Sequence, residues 1–257
     1  MANKKKETVL RTFVVIGTLC LVCAIVVSLS AVGLRPLQKE NKALDKQINI
    51  LQVAGLSVDN VAQSYQQHIV AKLVDLNTGD FVFGDASTYS QTSAAKDPKT
   101  SIKVPSAEDV AKIGRRANLA PVYLARDDQG KLKAIILPIH GQGLWSTMYA
   151  LLALKPDGNT VMGLNYYQQE ETPGLGAEVE NPAWKAQWVG KTLFDSKGDL
   201  VLRVMKNAPK GSAHDIDALS GATLTSDGVE NTFKFWMGPQ GWGPFLEKVR
   251  KGEINYG

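Results

Sequence analysis

The stretch Asp217-Ala218-Leu219-Ser220-Gly221-Ala222-Thr223-Leu224-Thr225-Ser226 gathers hydroxyls, small residues and a glycine just upstream of an apolar run. Val229, Phe233 and Trp236 follow at spacings of four and three, which predicts a helix beginning near Thr225 or Ser226. The first N–H groups of a helix lack intrahelical acceptors, and together with the macrodipole they favour an anion. Gly221 and Ala222 leave a phosphate free to approach the backbone, with Ser220, Thr223, Leu224 and Thr225 around it. Either threonine hydroxyl can hydrogen-bond that phosphate or be esterified to it. The same residue types also serve in ordinary roles, Thr223 as a helix cap and Asp217 in an Asx turn.

A second element, Glu171-Thr172-Pro173-Gly174-Leu175-Gly176, is a turn-rich loop whose glycines permit a flat ring to approach the backbone. Glu170 and Glu171 are adjacent, so on an extended segment they point to opposite faces and cannot share acid and base roles. Gly141-Gln142-Gly143-Leu144-Trp145 is a further glycine and aromatic turn, with Trp145 either beside a bound ring or in the core. Lys206 supplies positive charge after a strand, or is a solvated surface lysine. His214 and Asp215 lack companion ligands, so no metal site is expected, and no side chain is assigned a catalytic role.

Taken together, the SGATLTS segment and the ETPGLG loop resemble the FMN-binding domain of membrane redox complexes. The resemblance extends over almost the whole chain, and it implies FMN carried through a phosphoester on Thr225, with Thr223 as the competing acceptor. It also implies that Thr172, Gly174 and Leu175 line the isoalloxazine with Trp145 nearby, that Lys206 lies near the phosphate or the flavin N1 region, and that Asp217 opens the segment read by a flavin transferase. On this reading the chain is an electron relay in a six-subunit inner-membrane complex, not a self-contained enzyme. Electrons pass from NADH toward ubiquinone, and other subunits move sodium. Two settings carry such a domain, a sodium-translocating NADH:quinone oxidoreductase and the related Rnf electron-transport complex. A stand-alone membrane-tethered FMN reductase outside the cytoplasm is the alternative.

The elements that must position these residues read as an α+β domain with antiparallel strands. Residues 68–74 form the first expected strand. Residues 122–125 and 132–137 flank Asp127-Asp128-Gln129-Gly130 as a hairpin, and residues 148–154 and 161–167 make a second. A further strand is expected over residues 200–204, and residues 85–106, rich in Ser, Thr, Ala, Lys and Pro, read as a long polar loop. No dinucleotide-binding glycine fingerprint is present.

The formal net charge is +4, but the basic residues before position 12 account for most of it. The remainder is nearly neutral and shows no basic stripe with interleaved aromatics, which argues against nucleic acid as a partner. Residues 13–34 carry no charge over 22 positions, long enough for the roughly 30 Å hydrocarbon core. A cleaved signal peptide is the rival, and the run exceeds the usual apolar region of one. Cys20 and Cys23 both fall in this run, where thiols act as ordinary hydrophobes, and the domain itself has no cysteine, as suits an oxidising compartment. Leu37, Leu44, Ile48 and Leu51 then suggest an amphipathic stalk. The expected organisation is a basic cytoplasmic segment (1–12), a membrane helix (13–34), a helical stalk (35–65) and a periplasmic FMN-binding domain (66–257). Protease added to intact spheroplasts should therefore digest the domain, and a protected C-terminus would reject this orientation.

Overall fold

The computed structural model describes residues 9–256, so the basic residues Lys4 to Lys6 lie outside the described part. In chain order the elements are α1 (Val9–Val53), α2 (Val61–His68), β1 (Ile69–Asp75), β2 (Phe81–Val82), α3 (Gln91–Lys96), β3 (Ser101–Lys103), β4 (Arg115–Ala117), β5 (Leu119–Arg126), β6 (Leu132–Gln142), β7 (Thr147–Leu154), β8 (Val161–Gln168), a short 3-10 helix (Gly176–Glu180), α4 (Pro182–Ala186), β9 (Arg203–Met205), β10 (Asp215–Asp217), α5 (Thr223–Trp236) and α6 (Gly243–Lys251). The chain divides into two compact units after Lys46. The first holds the apolar part of α1, and this helix is long and apolar enough to cross a membrane, with a mean hydropathy of 2.7 over its most apolar stretch. Both cysteines are free and exposed on it.

The second unit is an α+β domain built on a six-stranded sheet of order β2-β1-β5-β6-β7-β8, antiparallel throughout. Both expected hairpins are present, as β5–β6 and β7–β8, because the turns between them carry Asp side chains that accept local backbone N–H groups. Asp127 takes the N–H of Gln129 and Lys131, and Asp157 takes those of Asn159 and Thr160. Alternation splits the strands between two faces. Ile135, Leu137 and Ile139 of β6 join the main core with Val229, Phe233 and Trp236 of α5, Trp242, Phe245 and Leu246 around the start of α6, and Trp184 and Trp188. Ala134 and Ile136 face the other way and pack against Ile50, Leu51 and Val53 at the end of α1 and Ala54 just after it, with Val61 and Tyr65 of α2.

Three expectations change. The polar region 85–106 contains α3, capped by the Ser90 side chain, and β3, which pairs with β4. Its composition reflects caps and turns more than disorder. The strand expected over residues 200–204 shrinks to β9 and pairs in parallel with β10, so the strands are not all antiparallel. And α5 begins at Thr223, not at Thr225 or Ser226, which puts Thr223 in its first position and Thr225 in its first turn.

Helix α5 lies close against the end of β6 because glycines face it from both sides. A Cβ on Gly141 would collide with the Thr232 side chain, and one on Gly228 would collide with the Gln142 carbonyl. Trp236 then anchors the far end of the helix by donating its indole N–H to the His140 carbonyl at 2.6 Å. Gly to Ala within an exposed helix stabilises by roughly 0.5–1 kcal/mol. Gly228→Ala should show the opposite sign and cost about 1–3 kcal/mol, as overpacking does, in urea unfolding followed by tryptophan fluorescence.

Candidate functional site

The Thr225 hydroxyl does not point to solvent. The residue is 1% exposed, and its Oγ1 donates to Glu171 Oε2 at 2.6 Å. Glu171 is itself buried, on the loop between β8 and the 3-10 helix, and its carboxylate also accepts the backbone N–H groups of Leu144 (3.1 Å), Trp145 (2.9 Å) and Ser146 (3.2 Å). One carboxylate thus ties the β6–β7 turn, its own loop and the first turn of α5 to a single point.

Glycines make room for it. A Cβ on Gly143 would stand 2.6 Å from Glu171 Oε1, and one on Gly176 would stand 2.6 Å from Thr225 Oγ1 and 2.9 Å from Glu171 Oε2. Burial alone would raise the Glu171 pKa, but the hydrogen bonds from Thr225 and from the N–H groups of Trp145, Ser146 and Leu144 outweigh it and hold the carboxyl below its ordinary range. Glu170 next to it is exposed, so the two carboxylates are not a pair.

The start of α5 has the open donors that an anion needs. Its N-cap is Ala222, and no side chain caps the helix, so the capping role considered for Thr223 is not the one adopted. Thr223 is exposed. Ser226, inside the first turn, is occupied locally: its hydroxyl donates to the Ala222 carbonyl and accepts the Leu219 N–H, both at 3.0 Å. That bond fixes residues 219–222, including Gly221 at φ 73°, where a side chain would be strained and a Cβ would approach Leu175 to 3.0 Å.

Around this point the expected residues are brought to one surface. Trp145 is 68% exposed, Leu224 62% and Leu175 42%, so none of them serves the core; Thr172 and Gly174 are exposed as well. The Trp145 indole N–H donates to Thr172 Oγ1 at 3.2 Å, which joins the two loops across the rim. A group with an apolar ring and an anionic tail fits the chemistry of this set: apolar side chains on the rim, N–H groups at the helix start, and glycines where backbone must be approached.

Asp217 ends β10, where its carbonyl accepts the Trp184 indole N–H at 2.9 Å and its carboxylate takes the Ala208 N–H at 3.4 Å. Lys206 follows β9, whose Met205 registers with Asp217, and its side chain is exposed beside the start of the segment. His214 is engaged by Thr192 and Asp215 by Ser212, and the described residues hold no cluster of metal ligands. Sequence reasoning does not reach the Glu171–Thr225 bond, the three N–H groups from the 144–146 turn, or the roles of Gly143 and Gly176. Their one signal is glycine on either side of the two motifs.

Comparison with known proteins agrees with this chemistry. The family model of the FMN-binding domain matches residues 143–238, the stretch that runs from the 144–146 turn through α5. The chain is 54% identical to the C subunit of the Na(+)-translocating NADH-quinone reductase of Vibrio vulnificus, over 97% of this chain and 98% of that protein. It is 47% identical to the same-named protein of Yersinia pestis, over 99% and 98%. Among solved structures it resembles NqrC of Shewanella oneidensis, with a TM-score of 0.78 and 34% identity over 82% of this chain and 99% of that one.

Glu171 makes the domain's stability sensitive to acid. Its folded pKa is depressed, so the stability it contributes is complete above the unfolded value of 4.5 and is lost as pH falls through the lower folded value. Unfolding curves taken from neutral pH down past 4.5 should show this loss in the wild type and its absence in Glu171→Gln.

Proposed function

The chain belongs to the NqrC family, the C subunits of Na(+)-translocating NADH-quinone reductases, and contains that family's FMN-binding domain; from this premise we propose that it is the complex's covalent-FMN electron relay. The observation that carries the reading is the first turn of α5: an uncapped helix start, with Thr225 in it and an exposed apolar rim of Trp145, Leu175 and Leu224 beside it. In this reading FMN is joined through its phosphate to Thr225 Oγ1 and supplies one- and two-electron chemistry when bound.

The chain's residues do the holding. The N–H groups at the start of α5 take the phosphate, Gly221 lets it approach, and Ser220, Ala222 and Leu224 shape that end. Trp145, Thr172, Gly174 and Leu175 flank the ring, and the Trp145–Thr172 bond closes the rim. Lys206 and Asp217 set the charge at the edge. Exposure of the rim suits a relay, because electrons need a short path to a partner and no substrate has to be enclosed.

Partners follow from this role: the other members of a six-subunit inner-membrane complex, and a flavin transferase for maturation. We place the chain as a single-pass inner-membrane protein with its domain in the periplasm, on the strength of α1 and the cysteine-free domain. NADH oxidation, quinone reduction and sodium movement belong to other subunits. A flavin outside the cytoplasm would be diluted away on dissociation, and a phosphoester prevents that.

Co-expressed with the transferase, wild-type protein should remain fluorescent after denaturation, with one FMN located by peptide mass spectrometry on Thr225. Thr225→Val should abolish the label, Thr225→Ser should retain part of it, and Thr223→Val should at most weaken it. A label that persists in Thr225→Val and maps to Thr223 would move the acceptor. An unlabelled wild type would overturn the covalent reading.

A further inference from the structure

Two threonines stand in the first turn of α5, and exposure favours the wrong one. Thr223 is open to solvent, while Thr225 is buried. What distinguishes Thr225 is its partner, because its hydroxyl hydrogen lies on a carboxylate oxygen at 2.6 Å, within the reach a general base requires. Thr223 has no carboxylate paired with it among the described residues. We propose that Glu171 selects the acceptor, holding the Thr225 hydroxyl as an oriented nucleophile and taking its proton as the phosphoester forms. The inference rests on the reading of Thr225 as the FMN acceptor.

Joining a flavin monophosphate to a hydroxyl directly would expel water, a poor leaving group, so the donor is a flavin nucleotide activated as a phosphoanhydride. The bond from Thr225 Oγ1 to the flavin phosphorus forms and the anhydride P–O bond breaks. The second nucleotide departs as its monophosphate with the bonding electron pair, and the hydroxyl proton passes to Glu171 Oε2. A carboxylate held below its ordinary pKa is a weak base, but phosphoryl transfer asks for little. Its transition state is loose, and catalysis is mostly positioning.

Glu171 is placed to stay with Thr225 while the loop above it moves. Three of the four hydrogen bonds to its carboxylate come from the 144–146 turn, on a different segment from residues 172–176. A Cβ at Gly176 would stand 2.6 Å from Oγ1, so this glycine lies against the hydroxyl. Lifting residues 172–176 therefore opens the hydroxyl to the donor and leaves the carboxylate in place. Among the described residues the side-chain tie across the rim is the Trp145–Thr172 bond at 3.2 Å, which is exposed and readily broken.

The test uses the full-length chain in detergent, purified transferase, and flavin adenine dinucleotide as the donor probe, with labelling followed by fluorescence of the denatured protein. When both are assayed well below the variant's own, lowered, melting temperature, Glu171→Gln should label about 10²-fold more slowly than wild type, the scale on which a positioned base acts. Glu171→Ala should be equally slow, and formate should restore its rate where chloride at the same ionic strength does not. This rescue is one that a purely structural role would not produce. It also carries the test if the Gln variant fails to fold. Labelling of Glu171→Gln within a factor of two of wild type, or failure of formate to raise the rate of a folded Glu171→Ala, would overturn the role of Glu171 while leaving Thr225 as acceptor. A wild type that takes no label in the parallel reaction would overturn the acceptor reading itself, and this inference with it.

Discussion

A single buried carboxylate organises the business end of this domain. Glu171 accepts three N–H groups from one loop and a hydroxyl from a helix, and it lies on a third segment itself. Hydrogen bonds to an ionised acceptor are among the stronger ones, and four on one group leave it little freedom. Remove the charge and each donor is left buried beside a poorer acceptor, which costs more than the bonds were worth in net terms. The loops at the end of β6 and β8 have few apolar residues to hold them, so their positions depend on this group. The sheet and helices set the platform, and Glu171 sets the site on it.

The platform explains why the site can be so lightly built. Indole rings from Trp188, Trp236 and Trp242 are fully buried between α5, α6 and the sheet, with Trp188 stacked on Phe233 at 4.6 Å between centroids. Trp236 and Trp242 each return their N–H to a β6 carbonyl, at His140 and Pro138, so the apolar core also fixes the helix along the strand direction. With the far end of α5 pinned in this way and Gly228 seated on Gln142, the near end has one position relative to the 144–146 turn. Precision at Thr225 is inherited from packing three turns away.

Much of this is legible in the sequence, and for identifiable reasons. The hairpins carry Asp and Gly at positions that turns require, and the 4, 3 spacing of Val229, Phe233 and Trp236 is a local helix pattern. Local patterns survive translation into structure. Of the two settings that the resemblance leaves open, the relatives belong to the sodium-translocating reductase. The helix starts at Thr223, ahead of the Thr225 or Ser226 start that the apolar spacing suggests, because its cap is Ala222, which contributes no side chain and leaves no signal. β9 and the elements inside residues 85–106 are hard to read because short edges are decided by distant partners. The Glu171–Thr225 bond joins residues 54 apart, and nothing local announces such a contact. In the sequence Glu171 looks like part of a ring-binding loop, and its true orientation, inward, follows from glycines at 143 and 176 that only the fold brings together.

The uncapped start of α5 has a consequence for how this protein can change over time. An anion site made from arginine or lysine side chains is lost by one codon change, and a lysine site also weakens at high pH. The donors at residues 223–225 are peptide N–H groups, present whichever L-amino acid other than proline is encoded there, and they do not titrate. Such a site tolerates sequence drift at the surface positions that build it. Its vulnerability lies elsewhere, in the glycines and the single carboxylate that decide where the helix begins.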